Sequence, residues 1–347
     1  MKLHDYIIRR FLLLIPVLIG ISFITFVLTH NIPGYDPAST WMKEKTTKEG
    51  RDLIVQQHHL DDPIVVQYLY YMKDLSQLDL GYSASQGERP VKDALIDYFP
   101  ATLELTISSL LICILVGIPI GIISAIRKDK LPDHVVRIFS LTGISIPVFW
   151  FALILQYIFY LQLNWLPLGG RLDAGVSPPT FNLPFTDIHS TGLMVLDSIL
   201  AGNMDTLVQA LFHLIMPSFC LAFISLAVIA RMTRSSMLES MTQDYIRTAR
   251  SKGLPEYVVI FKHALRNALI PTTTMIGLLL GSLLSGAVLT ETIFFWPGIG
   301  RYSTMAISSL DYPSIMGVTL LIAIVYVLSN LVVDVMYAYL DPRIKYG

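Results

Sequence analysis

The sequence predicts an all-α membrane protein with six transmembrane helices, and three observations carry that expectation. Apolar residues make up 53% of the 347-residue chain and charged residues only 15%, against about 25% charged in a soluble protein. Mean hydropathy is +0.58. The apolar residues are gathered into long blocks, six of which reach the roughly 20 residues that a helix needs to cross a hydrocarbon core of about 30 Å. This composition excludes the two soluble domains that the length alone would suggest. A near-neutral balance, 25 Lys and Arg against 26 Asp and Glu, argues against a nucleic-acid binder.

The first block, residues 11–29, follows Arg9 and Arg10. Its apolar core is longer than the roughly 7–15 residues of a signal peptide, and no small-x-small cleavage site precedes His30-Asn31, so it is expected to be a retained span. Residues 31–101 form a long polar loop region with two expected helices. Asp62-Pro63 reads as an N-cap and first-turn pair, followed by Val66, Leu69, Tyr70 and Lys73 at helical spacing. A second start at Pro90 places Val91, Ala94, Leu95 and Tyr98 on one face and stops before Pro100. That helix would either lie in the headgroup plane or be solvated.

The second block, 102–126, carries Gly117 and Gly121 around Pro119, which removes a backbone donor. The third, 138–163, is loosened at its start by Gly143, Ser145 and Pro147. Residues 164–205 are rich in Pro, Gly and Asp and should be irregular. The fourth block is 206–230, the fifth 268–290 and the sixth 314–338. In the fifth, Gly277, Gly281 and Ser285 stand at i, i+4 and i+8. These residues, with Gly117 and Gly121, are candidate sites of close helix packing. Cys113 and Cys220 lie inside apolar blocks and read as small buried side chains.

Orientation follows from Lys and Arg. With the N-terminus inside, sixteen of them fall on the inner side and nine on the outer, although the outer segments are longer. Both termini are therefore expected in the cytoplasm. Ionisable groups within the blocks are few. Glu104, Asp334 and His213 each read as helix-end electrostatics or a hydrogen bond to a neighbouring helix. No relay of Asp, Glu and His suits a proton-driven pump, and no channel filter or phosphate-binding loop occurs. No catalytic constellation and no metal-ligand spacing is visible, and His58-His59 reads as a solvated pair. A stand-alone secondary transporter or channel would need an intramembrane ion site that the sequence does not offer.

One inner segment, about 231–267, breaks the pattern of short connections. Met237, Met241, Ile246 and Ala249 read as one helix, Gly253 breaks it, and Pro255 starts a second helix bearing Val258, Val259 and Phe261. The result is an apolar-faced hairpin edged by Arg247, Arg250 and Lys252, which reads as a docking surface.

The stretch from Asp244 to Pro271 resembles the "EAA" loop of permease subunits of ATP-binding-cassette importers, in the form of the dipeptide/oligopeptide branch. The general pattern EAA-x3-G-x9-I-x-L-P falls on Arg247-Thr248-Ala249, Gly253, His263, Leu265 and Arg266. Its Glu, Ile and Pro are replaced here. The ending His263-x-Leu265-Arg266-Asn267-x-Leu269-x-Pro271 is the variant common in the peptide branch. Further matching segments run in family order along nearly the whole chain: Leu78 to Ser83, Pro100 to Glu104, Ser145 to Trp150, Leu166 to Arg171, Glu291 to Gly298 with Gly300, and Asp341 to Arg343. Near the first loop, Pro33-Gly34-Tyr35-Asp36-Pro37 carries one residue more than the usual Pro-Gly-Asp-Pro.

The resemblance implies a type I importer permease fold: a first segment (1–30), an extracytoplasmic loop region (31–101), a five-helix core (102–340) and a cytoplasmic tail (341–347). It implies a pore-forming subunit for di- or oligopeptide import in the cell membrane, with oligosaccharides or nickel complexes as alternative solutes. The partners it implies are a second homologous permease, two cytoplasmic ATPase subunits that use ATP and magnesium, and an external solute-binding protein. This chain would bind no cofactor itself. The coupling residues it assigns are Asp244, Arg247, Ala249, Arg250, Lys252, Gly253, His263, Arg266 and Asn267. Substrate-contacting residues are not assigned.

Overall fold

The computed structural model describes residues 3–30, 36, 38, 41, 42, 46–181 and 189–340, and the side chains of these except at 3–11, 84, 285, 286 and 334–340. Expectations for Ser285, Asp334, the Arg9-Arg10 side chains, the tail from Asp341 and most of Pro33 to Pro37 lie outside that set. Helices α1 (Leu3–His30), α2 (Lys48–Gln57) and α3 (Ile64–Ser76) come first, followed by a two-strand ribbon of β1 (Tyr82–Ser83) and β2 (Arg89–Pro90). Next come α4 (Val91–Ile112), a π-helical turn at Cys113–Gly117, and α5 (Ile118–Ile126). They are followed by α6 (Leu131–Ser145) and α7 (Val148–Leu155), which ends in a π-helical stretch to Gln162. The second half contains α8 (Met194–Leu200), α9 (Met204–Met241), α10 (Asp244–Ser251), the single turn α11 (Glu256–Val258) and a π-helical turn leading into α12 (Leu265–Gly286). Last are α13 (Val288–Ile293), α14 (Ile299–Ser308) and α15 (Tyr312–Leu340).

Among the described residues, five helical stretches are long and apolar enough to cross a membrane, or six if α6 and α7 together make one span. That third block is not one straight span, because α6 and α7 meet at 109°. Pro147 has no N–H and drives Ile146 out of the helical region, to φ −81° and ψ 126°. At Pro100 the opposite holds, and the expected helix end is overturned. The helix that starts at Val91 runs through Pro100 and on to Ile126. Burial of Ala101 and Leu105 against Leu214, Leu283 and Trp296 holds it together there. In its first turns Val91, Ala94 and Leu95 pack on Ile299, Tyr302 and Val318.

The helix after Pro63 forms, but Pro63 itself occupies the cap position without a side-chain bond, and Asp62 meets His59 instead. The buried face of α3 is Tyr68 and Tyr71, packed on Phe26 of α1. The centre of the bundle is α9, whose apolar window is 72% buried, against 17% for α1. It packs on α4, α5, α6, α7, α8 and α12. A methyl group on Gly121 would sit 2.6 Å from Thr233 Cβ and 2.7 Å from the Ala230 carbonyl, so α5 and α9 meet at backbone distance. Gly117 lies against Ile229, Gly277 against Val333, Gly281 against Tyr326 and Gly143 against Ala227.

Candidate functional site: an exposed hairpin and two buried ion clusters

The hairpin lies between the end of α9 and the start of α12. Met237 and Met241 belong to α9, not to the hairpin helix, because the chain leaves helical geometry at Gln243 (φ −74°, ψ 151°). Thr242 helps end α9 by donating its hydroxyl to the Glu239 carbonyl at 2.8 Å. The eight-residue α10 then buries Ile246 and Ala249 against Met237, Val259, Ile260 and Ala264, with Ile122 and Ala125 of α5 in the same cluster. At φ +72°, Gly253 makes the reversal in open space: a Cβ there would touch nothing, so backbone conformation alone demands glycine.

Asp244 opens α10, exposed, with Arg247 at 3.6 Å. Arg250 makes a two-pronged pair with Glu256 across the turn, at 2.6 and 3.2 Å. Lys252 is exposed beside Gly253, whereas Ala249 faces inward and closes α10 onto its own spans. His263 is half-buried in the π-helical turn, and Arg266 and Asn267 are exposed at the start of α12. Apolar rings and side chains stand among these charges: Tyr257 is 69% and Phe261 57% exposed, with Tyr245 and Leu254 also uncovered.

Next to the hairpin lies a cluster that only the folded chain reveals. Asp133, fully buried on α6, accepts from Arg234 of α9 at 2.5 and 2.9 Å, from Arg137 at 2.6 Å, from Ser124 at 2.6 Å and from the Asp129 N–H at 2.9 Å. One carboxylate thus joins α5, α6 and the lower part of α9.

A second cluster lies some twenty residues away along the second span, about 30 Å of helix. Glu104 is not in a first helical turn, since its helix begins at Val91. It is buried and pairs with Arg171 at 2.5 Å, and it also accepts from the Val195 N–H at 2.7 Å. Arg171 donates to the Gly192 carbonyl at 2.8 Å and lies over the Trp296 ring. Nearby, Glu291 accepts from Thr102 at 2.7 Å and from the Arg301 N–H at 3.0 Å. A methyl group on Gly298 would overlap the Glu291 carboxylate. His213 meets the Gly169 carbonyl at 2.9 Å, so its partner is a loop carbonyl and not the neighbouring helix expected for it.

Glu291 stands beyond the fifth span (Glu256–Leu284). Burial pushes its carboxyl up to about 7, against the pull of Thr102, Arg301 and Gly300. The folded protein therefore holds this proton up to about pH 7, the unfolded chain only to about 4.5. Its contribution to stability is fully present below about pH 4.5 and is lost as pH rises to about 7. Unfolding midpoints of wild type and Glu291→Gln between about pH 4 and pH 8 check this. The wild type should lose stability across that window relative to the variant, and parallel pH profiles would contradict it.

A bundle of apolar helices with a stiff exposed hairpin at one end has the form of a polytopic membrane transport component. The chain matches the family model described as binding-protein-dependent transport system inner membrane component over residues 117–346. A companion model for the N-terminal part of such components matches residues 3–106. Full-length relatives agree. The probable D,D-dipeptide transport system permease protein DdpB of Escherichia coli strain K12 is 47% identical over 96% of this chain and 95% of its own length. The dipeptide transport system permease protein DppB of Alkalihalophilus pseudofirmus is 47% identical over 98% and 99%. The oligopeptide transport system permease protein AppB of Bacillus subtilis is 38% identical over 98% and 99%. The chain belongs to the family of binding-protein-dependent transport system inner membrane components. It is thus a multi-pass inner-membrane permease of an ATP-binding-cassette importer, a class that works with ATPase and solute-binding partners.

Sequence reasoning located the hairpin and missed the ion clusters. A signal was present: Glu104, Arg171 and Glu291 each sit as a lone charge inside a family-like motif bordering an apolar block.

Proposed function

We propose that this chain forms half of the translocation path for di- or oligopeptides. In this reading it is paired with a non-identical homologous permease, and both termini are cytoplasmic. The solute follows from the names of its full-length relatives, which are dipeptide and oligopeptide permeases. The chain has no catalytic site of its own; ATP and magnesium are used by the ATPase subunits. The two-fold partner, the coupling-residue set and the division into an N-terminal span, a loop region and a five-helix core belong to the same reading.

The observation that carries the coupling role is the two-faced character of the hairpin. Its inner face is filled by its own spans, while Tyr245, Leu254, Tyr257 and Phe261 remain uncovered among Asp244, Arg247, Arg250, Lys252 and Glu256. Apolar rings ringed by charge do not suit lipid tails; they suit a protein groove. An ATPase subunit closing on nucleotide moves the hairpin, and α9 and α12 carry that motion into the membrane because α10 is packed rigidly between them.

Gly253→Asp places a side chain at φ +72° and a carboxylate on the docking face, and Arg250→Glu breaks the Arg250–Glu256 pair and reverses its charge. Each is expected to lower ATPase association and ATP-driven peptide uptake by about tenfold or more, while the permease itself still accumulates in the membrane. Normal copurification and uptake in both variants would refute the coupling assignment.

A further inference from the structure

Between α6 and α9, beside the Asp133 cluster, lies a cavity of about 230 Å³ lined by Val136, Arg137, Ser140, Leu141, Arg231 and Arg234. We propose that it binds the phosphate headgroup of an anionic phospholipid. The charges around it do not cancel. Asp133 is matched by Arg234, and Asp129 and Asp133 both hold Arg137. Among the described residues, Arg231 donates to no carboxylate and to no carbonyl, so one guanidinium faces the cavity uncompensated. Ser140 adds an independent sign of a missing ligand. It is 4% exposed, lines the same cavity, and its hydroxyl has no hydrogen-bond partner. A buried hydroxyl without a partner is destabilising, and a phosphate oxygen in the cavity would accept from it.

The depth and the rim select a lipid over a dissolved anion. No charged residue stands between Asp205 and Arg231 on one side, or between Arg137 and Arg171 on the other. Both arginines therefore mark where an apolar stretch ends, the level at which phospholipid headgroups lie. Next to the cavity mouth, Ile138 and Leu141 are each 65% exposed, an aliphatic surface along which acyl chains can lie. A free phosphate would leave that rim uncovered. The inference needs only a bilayer around the spans, and neither the transported solute nor the orientation of the termini enters it.

The test uses the assembled importer in nanodiscs of phosphatidylcholine with or without phosphatidylglycerol. Retained lipid is read by native mass spectrometry and the unfolding midpoint by a thermal ramp. Wild type should retain phosphatidylglycerol selectively and unfold at a higher temperature in its presence. Arg231→Gln should weaken that retention about fivefold, the equivalent of one arginine near an anionic surface. Arg231→Lys should keep most of it, and Arg127→Gln, which removes a charge outside the cavity, should leave it unchanged. Equal retention in wild type and Arg231→Gln would overturn the proposal, as would an equal loss in Arg127→Gln. Stabilisation by inorganic phosphate in pure phosphatidylcholine, matching that by phosphatidylglycerol, would assign the cavity to a dissolved anion instead.

Discussion

Alanine at position 133 is expected to cost about 3–5 kcal/mol of stability, the usual penalty for removing one partner of a buried ion pair. Asp133 is fully buried and is the common acceptor of Arg234, Arg137, Ser124 and the Asp129 backbone. Without it, the Arg234 guanidinium stays mostly enclosed with no anion to face, and the connection between α5 and α6 loses its tie to α9. The expected measurement is a large drop in the unfolding midpoint of the purified permease and poor accumulation in cells. The double variant Asp133→Ala/Arg234→Met should recover part of the loss, because the unpaired buried charge is then gone. If the double variant is destabilised by the plain sum of the two single changes, the pair is not coupled and the penalty has another origin.

Ile246→Asp is expected to abolish coupling without unfolding the spans. Ile246 is completely buried in the apolar cluster beneath the hairpin. A carboxylate at that place would be desolvated and unpaired, at a cost of several kcal/mol. An eight-residue helix has almost no stability of its own, so α10 should detach while α9 and α12, held by the rest of the bundle, remain. The expected outcome is a permease of normal abundance that no longer brings down its ATPase subunits and shows background uptake, with Ile246→Val close to wild type. Copurification of the ATPases with Ile246→Asp would mean that the packed hairpin is not the docking element.

These two variants also show why parts of the molecule were legible beforehand and others were not. The hairpin could be read because its determinants are local: the buried positions Ile246 and Ala249, the break at Gly253 and the start at Pro255 lie within one short segment. The pairing of Asp133 with Arg234 spans 101 residues, and that of Glu104 with Arg171 spans 67. Nothing in the spacing of either residue names its partner, because the partner is chosen by how the spans pack. The helix boundary at Met241 was missed for a related reason. Met237, Met241 and Ile246 keep a nearly helical rhythm across Thr242 and Gln243, and only the extended backbone at Gln243 shows that the helix has ended.

The existence of the apolar spans was determined by the sequence alone, because a bilayer imposes a length and a polarity that any chain must meet residue by residue. Pro147 gives a local signal for its bend, since a proline disfavours helical geometry at the residue before it, yet the same signal at Pro100 produces no break. What happened at Pro100 was decided by the tertiary structure. The same missing donor is tolerated there because Trp296 and Leu214 pack over the following turn. Which charges are buried in pairs, and which arginine faces a cavity unpaired, likewise depended on the packing of helices far apart in sequence. Local chemistry sets what each segment can be, and desolvation in the assembled bundle sets which polar groups must find one another.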